Sequence, residues 1–219
     1  MKTSFVELGD LLLRAGIIIS SLLLLTFLLP RHATGGDLTK QILVEINLAR
    51  RNPQGYAEYV RSFRRRFRGD SYRLRGTNTF VRTNEGVKGV DGAIRFLSRQ
   101  KPLPPLSWSY GLAEAAYELA EDEGDNGDIG HQGRSSGGPR ERIERHGKWR
   151  KIIGENIFYG PGDARQVVMN LIIDDGVPDR GHRKNIYSRA FRMAGVACAP
   201  HPGFGKACVI DFAGEFRDN

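Results

Sequence analysis

The chain has 219 residues and a formal net charge of +8, from 33 Lys and Arg against 25 Asp and Glu. Hydrophobic residues make up 40% of it and charged residues 26%, enough apolar side chain for one sizeable core, so a largely disordered chain is excluded. Its two cysteines exclude a disulfide-dense scaffold and a four-cysteine zinc finger, and the excess of positive charge permits anionic partners without choosing among them.

From Ala15 to Leu29 there is no charged residue, and Ile17-Ile18-Ile19-Ser20-Ser21-Leu22-Leu23-Leu24-Leu25 is strongly apolar. At about 1.5 Å per residue such a stretch spans roughly 22 Å, short of the roughly 30 Å hydrocarbon slab. Pro30, Arg31, His32 and the small run Ala33-Thr34-Gly35-Gly36 end it. Residues 1–34 read as a secretory signal peptide, with an N-terminal membrane anchor from Leu11 to Leu29 as the alternative. Either makes residues 35–219 an exported domain, secreted or periplasmic.

Asp37 is positioned to cap a helix carrying Leu38, Ile42, Ile46 and Ala49 on one face. Asn52-Pro53 ends it, and Pro53 opens a second helix with Tyr56, Tyr59, Val60 and Phe63 expected inward. Next comes a basic stretch, Arg61, Arg64, Arg65, Arg66, Arg68, Arg73 and Arg75, opposed only by Asp70. Residues 61–90 have little periodicity and read as an exposed loop. Such a loop offers a surface to an anionic polymer or to membrane headgroups, or is simply a solvated helix end. Neither tryptophan sits in a run that would stack bases, so nucleic acid is not the expected partner.

Asp91 is placed to cap a short helix through Ile94 and Leu97. Pro102, Pro104 and Pro105 then lead to Leu106-Ser107-Trp108, after which Ser109 caps a helix with Leu112, Ala115, Ala116, Leu119 and Ala120 on one face. Gly124 to Gly138 reads as loop, Ile152 to Tyr159 as strand, and Asp163 as the cap of a helix with Val167, Val168, Leu171 and Ile172. Met193 to Cys198 and Cys208 to Ala213 read as paired strands. With helices early and most strands late, the fold class is α+β. A hairpin would bring Cys198 and Cys208 together, and an oxidising compartment favours a disulfide there over two reduced, buried cysteines.

Four histidines follow the export segment. His131 and His182 each sit behind a glycine in a loop, where backbone can approach a ligand closely. His146, on a polar helix, and His201, in the hairpin loop, are expected to be exposed. Glu155 is a lone carboxylate in an apolar strand and needs a cation, a donor cluster or a cleft. Asp174 falls at the edge of its helix's apolar stripe, suited to a cleft floor, while Asp175 is placed to cap or to bind loop backbone. Asn156 and Asn185 are expected to hold turns by side-chain bonds to backbone.

Gly130-His131, Gly154-Glu155-Asn156-Ile157, a helix ending in Asp174, and Gly181-His182-Arg183-Lys184-Asn185-Ile186 occur in that order. With Ile46-Asn47, Arg50, Leu106-Ser107-Trp108 and Cys208-Val209-Ile210-Asp211-Phe212-Ala213-Gly214, this resembles the CAP superfamily of cysteine-rich secretory, antigen 5 and pathogenesis-related 1 proteins in its bacterial SCP-like form. The resemblance runs from about Leu38 to Phe216 and leaves the arginine-rich segment outside. It implies a three-layer α-β-α sandwich with a central antiparallel sheet and a cleft of His131, Glu155, Asp174 and His182. Where many members carry Glu, this chain has Leu171 and Asp174.

The resemblance also implies a divalent metal, zinc above all, held by His131 and His182, and no nucleotide cofactor. Carboxylates beside two neutral imidazoles suit that chemistry. The leading expectation is an exported domain binding a ligand, lipid or protein partner in or beside this cleft, with metal-dependent hydrolysis of an envelope or extracellular polymer, and adhesion through the basic loop, as alternatives.

Overall fold

The computed structural model describes residues 35–74 and 76–219. The segment read as a signal peptide or anchor lies outside these residues, as does Arg75. Helix α1 (Gly35–Arg51) buries Ile42, Ile46 and Ala49. Its range already includes Gly35, so position 37 falls within the helix. Asn52 accepts from the Gly55 N–H at 2.9 Å and starts α2 (Pro53–Arg64). Proline has no N–H to lose at that position, so the break and the new start share one dipeptide. Tyr56, Val60 and Phe63 are buried, but Tyr59 faces outward and carries the Arg165 guanidinium over its ring.

The expected loop at 61–90 is a correction. It folds into a small antiparallel sheet of β1 (Phe67–Arg68), β2 (Ser71–Arg73) and β3 (Phe80–Arg82). Phe67, Tyr72 and Val81 are in register on its inner face, where Phe63, Phe67 and Tyr72 form a close aromatic cluster. Each strand contributes a single inward residue, too few for an alternation to be visible in sequence. Helix α3 (Val87–Arg99) has Gly86 as its N-cap, five residues before the expected cap. Asp91 lies inside that helix and pairs with Arg64.

A second sheet has the order β4-β6-β7-β5, from β4 (Ser107–Trp108), β5 (Gly147–Tyr159), β6 (Met193–Ala199) and β7 (Ala207–Asp218). It is antiparallel except that two-residue β4 runs parallel to β6. Alternation along β7 sorts its residues between two layers. Cys208, Ile210 and Phe212 join α1, α2, α3 and α6 (Ala164–Ile173) in the larger core. Val209 and Ala213 face α4 (Tyr110–Asn126) and α5 (Pro139–His146) in the smaller clusters. A Cβ at Gly195 would come within 2.0 Å of the Ala113 backbone nitrogen, so only glycine lets α4 lie this close to β6.

Polar clamps fix the connections. Asn47 exchanges two hydrogen bonds with the Leu106 backbone, at 2.9 and 2.7 Å. Fully buried Arg50 donates to the carbonyls of Pro104, Ile186 and Ser188, and burial pushes its pKa down to about 10. Ser109 caps α4 and Asp163 caps α6, as their sequences indicate. Helix α4 runs to Asn126, so the loop after it starts three residues later than expected. Cys198 and Cys208 are cross-strand partners and form a disulfide.

Candidate functional site

Strand β5 is an edge of the main sheet, and the four residues singled out in the sequence gather beside it as two pairs. On the α4 side, Glu155 Oε1 meets His131 Nδ1 at 2.7 Å. Its other oxygen accepts from Arg142 Nη2 at 2.6 Å. Arg142 has no solvent exposure and also donates to the carbonyls of Gly137 and His131. This is the cation that a carboxylate inside an apolar strand requires. The Glu155 hydrogen bond raises the His131 imidazole above 6.5, outweighing the burial that opposes it.

On the opposite side, His182 Nδ1 meets Asp174 Oδ1 at 2.6 Å. Asp174 ends α6 in the left-handed conformation, φ 59° and ψ 48°, which Asp tolerates better than most side chains. Its second oxygen accepts from the Arg183 N–H at the start of short α7 (Gly181–Ile186). The Arg183 side chain in turn donates to the carbonyls of Ile172 and Ile173 at the end of α6. Asp175 instead accepts from the Asn84 and Glu85 N–H groups, at 2.7 and 2.8 Å, and so holds the loop before α3.

The two sides are joined through consecutive residues of β5. Asn156 donates to the His182 carbonyl at 3.0 Å, and Asn185 donates to the Glu155 carbonyl and to the Asn156 side chain. These asparagines tie elements together where local turns were expected. The loop bearing His131 is anchored by Tyr159, whose hydroxyl accepts from the Gly130 N–H at 2.7 Å and donates to Glu123 at 2.8 Å. Beside it, Asp122 accepts from the Ser135 and Ser136 N–H groups.

A cavity of about 260 Å³ opens against the His182–Asp174 pair. Phe63, Phe67, Tyr72, Val81, Phe158 and Leu171 contribute to its walls. The inner face of the arginine-rich sheet therefore borders the site, although that segment lies outside the resemblance. Leu171 places an aliphatic side chain in this wall beside Asp174.

The donor set bears on the expected metal. Each histidine gives Nδ1 to a carboxylate and makes no hydrogen bond through Nε2 among the described residues, the orientation that buttressed metal-binding imidazoles have. Among the described residues, however, no three His, Cys, Asp or Glu side chains group closely enough to hold an ion together. The described residues therefore form no closed cage for an ion.

Two expectations fail. His201 is 3% exposed, donating from Nε2 to the Asp128 carbonyl and accepting the Gly203 N–H at Nδ1; the hairpin loop folds back over the α4 end and encloses it. His146 is half-buried against Glu118. Two residues of the site escaped the sequence reading. Arg142 sits among Arg140 and Arg145 on a charged helix, with no local mark to separate them. Asp211 did carry a signal: like Glu155, it is a lone carboxylate in an apolar run.

Of the seven arginines expected to form a basic surface, Arg61 pairs with Glu58 and Arg64 with Asp91. Arg65, Arg66, Arg68 and Arg73 make no ion pair among the described residues, bonding only hydroxyl, amide or carbonyl oxygens.

Compared with known families, residues 47–212 match the model of the cysteine-rich secretory protein family, CAP. No curated protein matches the sequence. Similar solved structures include an extracellular SCP-domain protein of Bacillus anthracis, 21% identical, with 59% of this chain and 38% of that one aligned and a TM-score of 0.41. Another is an outer surface protein of Borrelia burgdorferi, at 20% identity, 51% and 78% coverage, and a TM-score of 0.43. A third is a cysteine-rich secretory protein of Staphylococcus aureus, at 14% identity, 66% and 46% coverage, and a TM-score of 0.42. The chain thus spans less than half the length of the Bacillus and Staphylococcus proteins. No helix among the described residues is long and apolar enough to cross a membrane.

Proposed function

The chain belongs to the cysteine-rich secretory protein family, CAP, and from that premise we propose that it is an exported binding module. Its ligand has an apolar body that enters the cavity beside α6, and a polar head that meets His182 and Asp174. The observation that carries this reading is the cavity itself, about 260 Å³ with aromatic and aliphatic walls and the histidine–carboxylate pair among its lining residues. Concave, mostly apolar sites with a few oriented polar groups are the usual form of ligand pockets.

The test is binding of a fluorescent apolar probe, 1-anilinonaphthalene-8-sulfonate, to the folded protein. Val81→Trp should fill the cavity and remove saturable binding, and His182→Ala should weaken it. Unchanged binding by the Val81→Trp protein, with its melting temperature preserved, would sink the proposal.

A second reading, metal-dependent hydrolysis of an envelope or extracellular polymer, is supported by the two carboxylate-oriented imidazoles. A divalent ion, zinc first, would be held by Nε2 of His131 and His182 and would supply Lewis acidity with open coordination positions. Glu155 and Asp174 would fix the ring orientations and, in the neutral rings, hold the proton on Nδ1 so that Nε2 faces the ion. Zinc added to metal-free protein should then raise the melting temperature, and the His131→Ala/His182→Ala protein should show no rise. No shift in the unsubstituted protein refutes this reading.

A further inference from the structure

The outer face of the β1–β3 sheet is a second candidate site, separate from the cleft. A groove of about 720 Å³ runs over it, and its lining includes Arg65, Arg66, Arg68, Arg73 and Phe80. No carboxylate lines this groove. The paired arginines Arg61 and Arg64 are absent from its lining, and the four guanidiniums that line it have no ion-pair partner among the described residues. Their positions are fixed by the fold. Arg66 donates to the Arg73 carbonyl at 2.7 Å, and Arg73 donates to the Thr77 carbonyl at 2.8 Å. Arg66 also packs over the Phe63 and Tyr72 rings. Arg68 and Arg73 are diagonal neighbours on adjacent strands, a relation that puts them about 7–8 Å apart at the backbone.

We propose that this groove binds a linear phosphate polymer. Arginine presents a planar fork suited to phosphate oxygens. Like charges held side by side with no internal counter-charge are best relieved by an external anion carrying several charges. The surface is concave, so the plane of a bilayer would meet its rim, whereas a single chain can lie along its floor. Phe80, 60% exposed, is one aromatic ring, whereas base recognition in single strands uses successive stacking platforms.

The test measures binding of fluorescently labelled long-chain inorganic polyphosphate to the full chain over a range of salt concentrations. Parallel arms use single-stranded DNA and vesicles of phosphatidylglycerol in phosphatidylcholine. Four phosphate contacts predict a log–log salt slope of about −3, by analogy with single-stranded nucleic acid. Arg65→Gln/Arg68→Gln should weaken binding about tenfold or more, whereas Arg61→Gln/Arg64→Gln should change it by less than about threefold. His131→Ala/His182→Ala should leave polyphosphate binding unchanged, which keeps this site distinct from the cleft. Arg65 and Arg68 are exposed, and circular dichroism will verify that their replacement leaves the fold intact. Equal losses in the two arginine pairs would reduce the effect to net charge and overturn the proposal. It would equally be overturned by tighter binding of DNA or vesicles than of polyphosphate, or by no polyphosphate binding at low salt.

Discussion

Glu155 and Asp211 stand opposite each other across the β5–β7 ladder. Asp211 has no solvent exposure, and no N–H donor among the described residues reaches either of its oxygens. Burial, with the Glu155 charge beside it, holds the Asp211 carboxyl well above its usual range. Arg142 is bonded to Glu155 and not to Asp211, so the Asp211 carboxyl has no cation against it and stays neutral.

This arrangement gives Asp211 a signed effect on stability. Above about pH 4 the unfolded chain releases a proton that the folded chain retains, so folding loses stability as pH rises. Asp211→Asn removes that loss. Its melting temperature should exceed the original by about 2–4 °C near neutral pH, equivalent to about 1 kcal/mol in a domain of this size. The gap should close towards pH 3. A deficit of equal size at every pH would show that Asp211 acts by packing alone.

Removing Arg142 should be far more damaging. Arg142→Met leaves Glu155 as a buried charge with no cation and should lower unfolding free energy by about 3–5 kcal/mol. Arg142→Met/Glu155→Met should recover much of that loss. Urea denaturation midpoints would check both, and a loss below about 1 kcal/mol in the single variant would contradict the assignment.

At the end of α4, burial pulls the Asp122 carboxyl upward, but bonds from Ser136 and Ser135 outweigh it and hold the pKa at about 2. That stabilisation is present above about pH 4, the usual range of the group, and disappears as pH falls through about 2. Asp122→Asn should lower stability at neutral pH by about 1.5–3 kcal/mol, the value of hydrogen bonds to a charged group. It should also flatten the acid limb of the stability curve. An unaltered acid limb would show that other carboxylates control it.

The Cys198–Cys208 bond closes a loop with a sequence separation of 10. Cys198→Ser/Cys208→Ser should cost about 3 kcal/mol on the chain-entropy account. Thermal unfolding with and without reductant measures it, and a reductant effect that persists in the double variant would point away from this bond.

Where periodicity or a cap carried the signal, the sequence was readable. Ser109 and Asp163 start their helices, and Met193–Cys198 pairs with Cys208–Ala213. Glu155 declared its need for a cation by standing alone among isoleucines. What stayed hidden depends on partners distant in the chain. Arg142 is one of three arginines on a short helix, and only the fold aims it inward. Phe67, Tyr72 and Val81 form a face only once three very short strands align. His201 is enclosed by a loop whose path its own residues do not announce.

The position of β7 bears on how the molecule comes into being. It follows β5 and β6 in the chain yet lies between them, and β5 has no other strand partner in the sheet. A chain emerging from its N-terminal side carries β5 unpaired until β7 arrives, and long-range strand pairing of this kind is slow. Glu155 then has neither its ladder nor its buried setting. The His131–Glu155 pair is therefore an all-or-nothing product of the finished sheet, and a partly synthesised chain has no half-formed version of it.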